Sequence, residues 1–118
     1  MSASLYAKGS RINYSNSGSL IAAGDVVVLA TGATGLISVS ISAIPATTGT
    51  GEVSIGGPDE RIWTFVKDTG EAFTIGQILY WDGTGLTGTN TTTNTRAGRA
   101  AAAANSAATT ALLILNQA

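Results

Sequence analysis

The chain has 118 residues, a net charge of −1 and a charged fraction of 11%, with no histidine and no cysteine. That length supports one domain with a modest core. The composition excludes disulfides and thiolate nucleophiles, and it removes the usual zinc ligands.

The cations Lys8, Arg11, Arg61, Lys67, Arg96 and Arg99 are scattered along the chain. Strong nucleic-acid binding needs several cations on adjacent phosphates, so no nucleic-acid partner is expected. Gly, Ala, Ser and Thr dominate, and only 6% of residues are aromatic. Small side chains bury little area each, at about 25 cal/mol per Å². So thin a core gains from assembly, and a weakly charged surface gives copies little mutual repulsion.

Residues 1–19 are polar and read as an N-terminal arm with the apolar anchors Leu5, Tyr6, Ile12 and Tyr14. A short strand is expected over 10–14. The first eight residues lack the basic start and long apolar region of a signal peptide. The longest apolar runs, 26–30 and 111–115, are too short to cross a bilayer. A soluble chain with no membrane partner is expected.

Residues 20–118 read as the body. The run 26–30 is β-branched and fits a strand buried on both faces. Residues 36–43 alternate strictly, with Ile37, Val39, Ile41 and Ala43 on one face and Ser38, Ser40 and Ser42 on the other. That period of two predicts one buried and one polar face, and Pro45 closes the strand. Strands are further expected over 52–55, 61–66 and 77–81, separated by Gly-rich turns. Asp82-Gly83 suits a tight hairpin into a return strand at 86–89. Thr and Asn alone fill 89–95. The alanines of 100–108 carry strong helix preference. With Thr109-Thr110 after them and no good cap, strand–turn–strand with the turn at Asn105-Ser106 is preferred, ending in a strand over 109–115. About nine short strands predict a compact all-β sandwich or barrel.

Catalytic signals are weak. The acids Asp25, Glu52, Asp59, Glu60, Asp68, Glu71 and Asp82 fall almost entirely in or beside predicted turns, where acids shape turns. Neither lysine completes a phosphate loop, and no glycine pattern opens a predicted helix. No cofactor or metal is expected. Trp63, Phe65, Tyr80 and Trp81 read as core and interface, with Trp63 and Phe65 on one face and Tyr80 and Trp81 on opposite faces. Trp81 is expected nearest the surface. A glycan-binding module would need exposed co-facial aromatics; an acid hydrolase would need two carboxylates converging in a cleft.

Several segments resemble the cement, or head decoration, proteins of tailed phages. They are Gly24-Asp-Val-Val-Val-Leu29, Gly35-Leu-Ile-Ser-Val-Ser40, Gly51-Glu-Val-Ser-Ile55, the stretch Thr69 to Asp82 with its Tyr80-Trp81-Asp82 end, and 108–116. Val66 stands where the family pattern has a proline before Lys67, and 96–107 is unusually rich in alanine. Some members carry recombinase-like labels, which the missing phosphate loop contradicts for this chain. The resemblance implies a jelly-roll β-sandwich on the outer face of a virion, made in the host cytoplasm and bridging major capsid protein subunits. It implies the major capsid protein and further copies of the chain, as dimer or trimer, as partners. Expected interface residues are Leu5, Tyr6, Arg11, Tyr14, Trp63 and Trp81. The arm would order on binding, and Thr/Ser-rich strand faces would give contacts between copies.

Overall fold

A computed structural model describes residues 10–32, 35–47, 49–57 and 60–117. These residues hold nine strands and no helix: β1 (Arg11–Ser15), β2 (Val26–Ala30), β3 (Leu36–Ser40), β4 (Thr50–Ser54), β5 (Ile62–Val66), β6 (Ile78–Trp81), β7 (Leu86–Thr87), β8 (Thr95–Ala100) and β9 (Thr110–Leu115). They form two antiparallel sheets in a β-sandwich, ordered β1-β4-β3-β2 and β5-β9-β8-β6-β7. The first order is a Greek key, in which β1 returns beside β4. The chain completes one sheet before starting the other, and this order does not establish a jelly roll. A parallel bridge from Lys67 to Leu86, with the Asp68 amide donating to the Leu86 carbonyl at 3.0 Å, brings β7 against the end of β5. The five-stranded sheet therefore curls towards a barrel.

Strand periodicity sorts the side chains. Ile37 and Val39 of β3 face Phe65, Leu79, Leu86, Ala97, Ala100, Ala111, Leu113 and Leu115 of the second sheet, with Phe73 from a loop. The opposite face of the first sheet carries Val27 and Val53, which pack with Ile44, Ile21, Leu29 and Tyr14. An Ile21–Ile44 bridge draws the two loops holding those isoleucines together.

Some expectations change. The strand expected over 36–43 ends at Ser40, and its serine face is not solvated: Ser38 is 0% and Ser40 2% exposed. β3 is a central strand, and its serine hydroxyls donate to the carbonyls of Val27 at 2.9 Å and Ser42 at 2.6 Å. Hydroxyls bonded this way tolerate burial that free ones do not. The run 26–30, expected to be buried on both faces, is an edge strand with Val28 37% exposed. The hairpin at Asp82 has a four-residue loop, because Trp81 pairs with Leu86. The strand expected over 10–14 forms at Arg11–Ser15 and pairs along its length with β4. The alanine region runs from β8 through Ala104, bridged to Phe73, into a turn closed by the Ala108 amide on the Asn105 carbonyl.

One side chain joins the sheets. β3 and β4 stop pairing beyond Val39 and Ser54. There Asn116, just past β9, accepts from the Ile37 amide at 3.3 Å and donates to the carbonyls of Ile37 at 2.9 Å and Ile55 at 2.7 Å. It fills the place of a ladder partner from the other sheet. A second fixed point is Gly98, at φ 146°, where a Cβ would overlap the Ile114 carbonyl oxygen. This lets β8 and β9 approach at the bulge that shifts its register against β6.

Asn116→Ala should cost about 2–4 kcal/mol, since three hydrogen bonds go and backbone groups lose their partner. Gly98→Ala should cost a similar amount, about 2–4 kcal/mol, through clash and positive φ. Denaturant unfolding of both variants checks these values, and near-wild-type midpoints would refute them.

Candidate interaction surfaces

The sheets separate along one flank. Between the edge strands β2 and β5 lies an open cleft of about 700 Å³, lined by Val26, Val28, Trp63, Phe65 and Trp81, and extending past Val27 to Tyr14 and Ile21. Val28 belongs to the inward set of β2, because it pairs with Ile37, yet it remains exposed. The inner face of the sandwich is therefore open to solvent here. Phe65 and Trp81 meet edge to face, with centroids 6.0 Å apart and planes at 78°. The Trp63 indole donates to the Glu60 carbonyl at 2.7 Å, which fixes its ring at the cleft wall.

Of the residues singled out from sequence, Tyr14, Trp63 and Trp81 line this cleft from three separate strands, and all three are half-buried. Trp63 and Phe65 share the inner face, whereas Tyr80 points outward from β6 and Trp81 inward. Arg11 lies elsewhere. Its guanidinium donates to both Glu60 oxygens, at 2.7 to 3.2 Å, and lies 3.9 Å from Glu52. The hydrogen bond from Arg11 holds the Glu60 carboxyl below the usual carboxylate range. Arg11 is thus occupied within the chain, tying β1 to the approach to β5. Leu5 and Tyr6 lie outside the described residues.

A second surface was not legible in the sequence. On the outer face of the five-stranded sheet, Ile62, Val66 and Leu112 are 58%, 57% and 42% exposed, beside exposed Thr64 and Thr110. A shallow hollow of about 330 Å³ adjoins them, floored by Ala102, Ala103, Ala104 and Ala108. The alternation of 61–66 marks an outward face, but an outward apolar residue looks the same in sequence as a buried one.

The acids form one close pair. Asp68, after β5, hydrogen-bonds Asp82, after β6; this bond, burial and the charges of Asp82 and Glu71 push Asp68 up to about 6. Burial raises Asp82, but the bond from Asp68 and the Thr84 and Gly85 amides outweigh it and bring it down to about 2. Below about pH 6 the pair holds one proton, since like charges in contact disfavour double ionisation. Neither acid lines the cleft or the alanine hollow. Asp82 Oδ1 already accepts from the Thr84 and Gly85 amides and the Thr84 hydroxyl. Lys67, only 2% exposed, donates to the carbonyls of Asp68 and Ala108 and sits 5.2 Å from the Phe73 ring centre. With the Lys67–Leu86 bridge, this arrangement latches β7 to the end of β5. Among the described residues no group of acids is placed to hold a metal ion.

The latch has a signed pH dependence. Asp68, raised in the fold, contributes stability that is complete below the ordinary carboxylate range and lost as pH rises through about 6. Asp82, lowered, contributes stability present above that range and lost as pH falls towards 2. Asp68→Asn, which keeps a donor to Asp82, should raise the melting temperature at pH 7.5. It should also flatten the decline between pH 5 and 7.5. A variant less stable at pH 7.5, with the decline unchanged, would refute the shared proton.

A profile of the phage cement protein family matches residues 6–115. No curated protein and no solved structure matches the chain. The match takes in every strand of both sheets and all the described walls of the cleft. On that coverage the chain belongs to the phage cement protein family, and its role is structural, in the phage capsid.

Proposed function

We propose that this chain is a non-enzymatic capsid cement protein that binds the outer face of a tailed-phage head and bridges neighbouring major capsid protein subunits. The observation that carries this is the family match across nearly the whole chain. The surfaces fit a binding role. An apolar, weakly charged sheet face and an open apolar cleft adjoin along β5, where Thr64 and Val66 border both, and together offer a broad surface for burial. Specific interfaces bury about 1,600 Å² in total, and engaging several shell subunits multiplies individually weak contacts.

The contact faces differ from those suggested by the serine-rich strand. Ser38 and Ser40 are covered, so the outward Thr64 and Thr110, set among Ile62, Val66 and Leu112, take that part. In the same reading the arm orders on assembly. Because β1 already occupies 11–15 within the sheet, the segment free to do so ends at residue 9 or 10. The partners are the major capsid protein and further copies of the chain.

Cosedimentation with purified, undecorated heads should show saturable binding, and decorated heads should withstand more heat or chelator. Val66→Asp combined with Leu112→Asp should reduce occupancy while leaving the melting temperature nearly unchanged. Absence of binding by the folded wild-type chain would refute the cement role, and undiminished occupancy of the double variant would refute the sheet face.

A further inference from the structure

The free edge of β2 is unusual. Its sequence, Val26-Val-Val-Leu-Ala30, carries no charge and no proline, and its only strand neighbour among the described residues is β3. Bulges bound it at Gly24 and Asp25 and between Val28 and Ala30. The stretch 26–28 between them has neither the lysine nor the proline with which natural sheets protect an apolar open edge from pairing with another chain. Here the edge opens onto the cleft.

Its hydrogen-bonding groups point the right way. The Gly24 amide donates to the Ser40 carbonyl and the Ser40 amide to the Asp25 carbonyl, with Gly24 at φ 87°, which is a bulge of the glycine type. The antiparallel alternation then pairs Val27 with Ser38 and turns the N–H and C=O groups of Val26 and Val28 to the free edge. A strand added there would send alternate side chains inward, against Trp63, Phe65 and Trp81, and outward, towards Tyr14 and Ile21.

The chain contains a segment with the matching pattern. In Met1-Ser-Ala-Ser-Leu-Tyr-Ala-Lys8, apolar Met1, Ala3, Leu5 and Ala7 alternate with Ser2, Ser4, Tyr6 and Lys8. Its one charged side chain is Lys8, and among the described residues the one charged residue lining the cleft is Asp25. The segment ends at Ser10, next to β1, on the edge of the sheet opposite β2. Reaching its own β2 means crossing three strand spacings, about 14 Å, which takes about four of its residues. Delivered from a neighbour, all of it is available for pairing, and fully extended it reaches about 30 Å.

We propose that residues 1–9 of a second copy of this chain add to the free edge of β2 as a strand, with Leu5 and its alternate neighbours seated in the cleft. The proposal rests on self-assembly as part of the cement reading, and it links copies by exchanged arms. β-Strand addition takes affinity from backbone bonds and specificity from alternate pockets, and this cleft offers both.

The test uses the isolated protein and no heads, so its failure leaves head binding standing. The full chain should assemble with concentration in sedimentation equilibrium, and a chain beginning at Ser10 should stay monomeric. A synthetic peptide of residues 1–9 should bind that shortened chain saturably. Binding should change the intrinsic fluorescence, because both tryptophans of the protein line the cleft. Val28→Pro removes an edge donor without touching the ladder to β3, and should weaken peptide binding at least about tenfold. Val28→Lys, a gentler edge block, should weaken it as well. Three results would overturn the proposal: no peptide binding, equal binding to both Val28 variants, or a full chain that stays monomeric with its cleft closed to the peptide.

Discussion

Three hydrogen bonds from the Asn116 side chain reach across to Ile37 and Ile55 and hold the second sheet against the first where β3 and β4 part. A core that mixes leucine, isoleucine and phenylalanine with three valines and three alanines has limited area with which to hold two sheets together. Fixed polar contacts at the junction make up part of that deficit, since buried partners left unmade cost more than made ones contribute. Arg11 with Glu60 ties β1 to the approach to β5, and the Lys67–Leu86 bridge with the Asp68–Asp82 pair latches β7 to the end of β5. With the sheets pinned at these points, the β2–β5 flank stays open.

That opening is what makes the fold suited to assembly. The cleft and the outer Ile62–Val66–Leu112 face are apolar surfaces that an isolated domain would tend to cover. Among the described residues the hollow beside the outer face is lined without charges and the cleft carries Asp25, so partner surfaces meet a small desolvation penalty. The two surfaces meet along β5, where Thr64 and Val66 border both.

Much of the sheet framework was legible in the sequence, because period-two patterning and glycine turns are local signals. The strand positions near 11–15, 26–30, 62–66, 78–81 and 110–115 follow from them. What failed was non-local. A β-branched run such as Val26–Ala30 reads alike as a central or an edge strand, and only pairing shows that β2 has one neighbour. The serines of β3 read as solvated because their hydroxyl partners, the Val27 and Ser42 carbonyls, are set by the fold. Likewise the gathering of Tyr14, Trp63 and Trp81 around one cleft depends on three strands meeting, and the Asp68–Asp82 pair on the β5–β7 closure. No spacing in the sequence encodes either.

If this domain sits on the outside of a phage head and spans boundaries between capsid subunits, electron cryomicroscopy of heads saturated with the protein will show added density on the outer surface astride those boundaries, fitted by the two-sheet body. Density confined to the centre of a single subunit, on the inner surface, or absent altogether would contradict that placement.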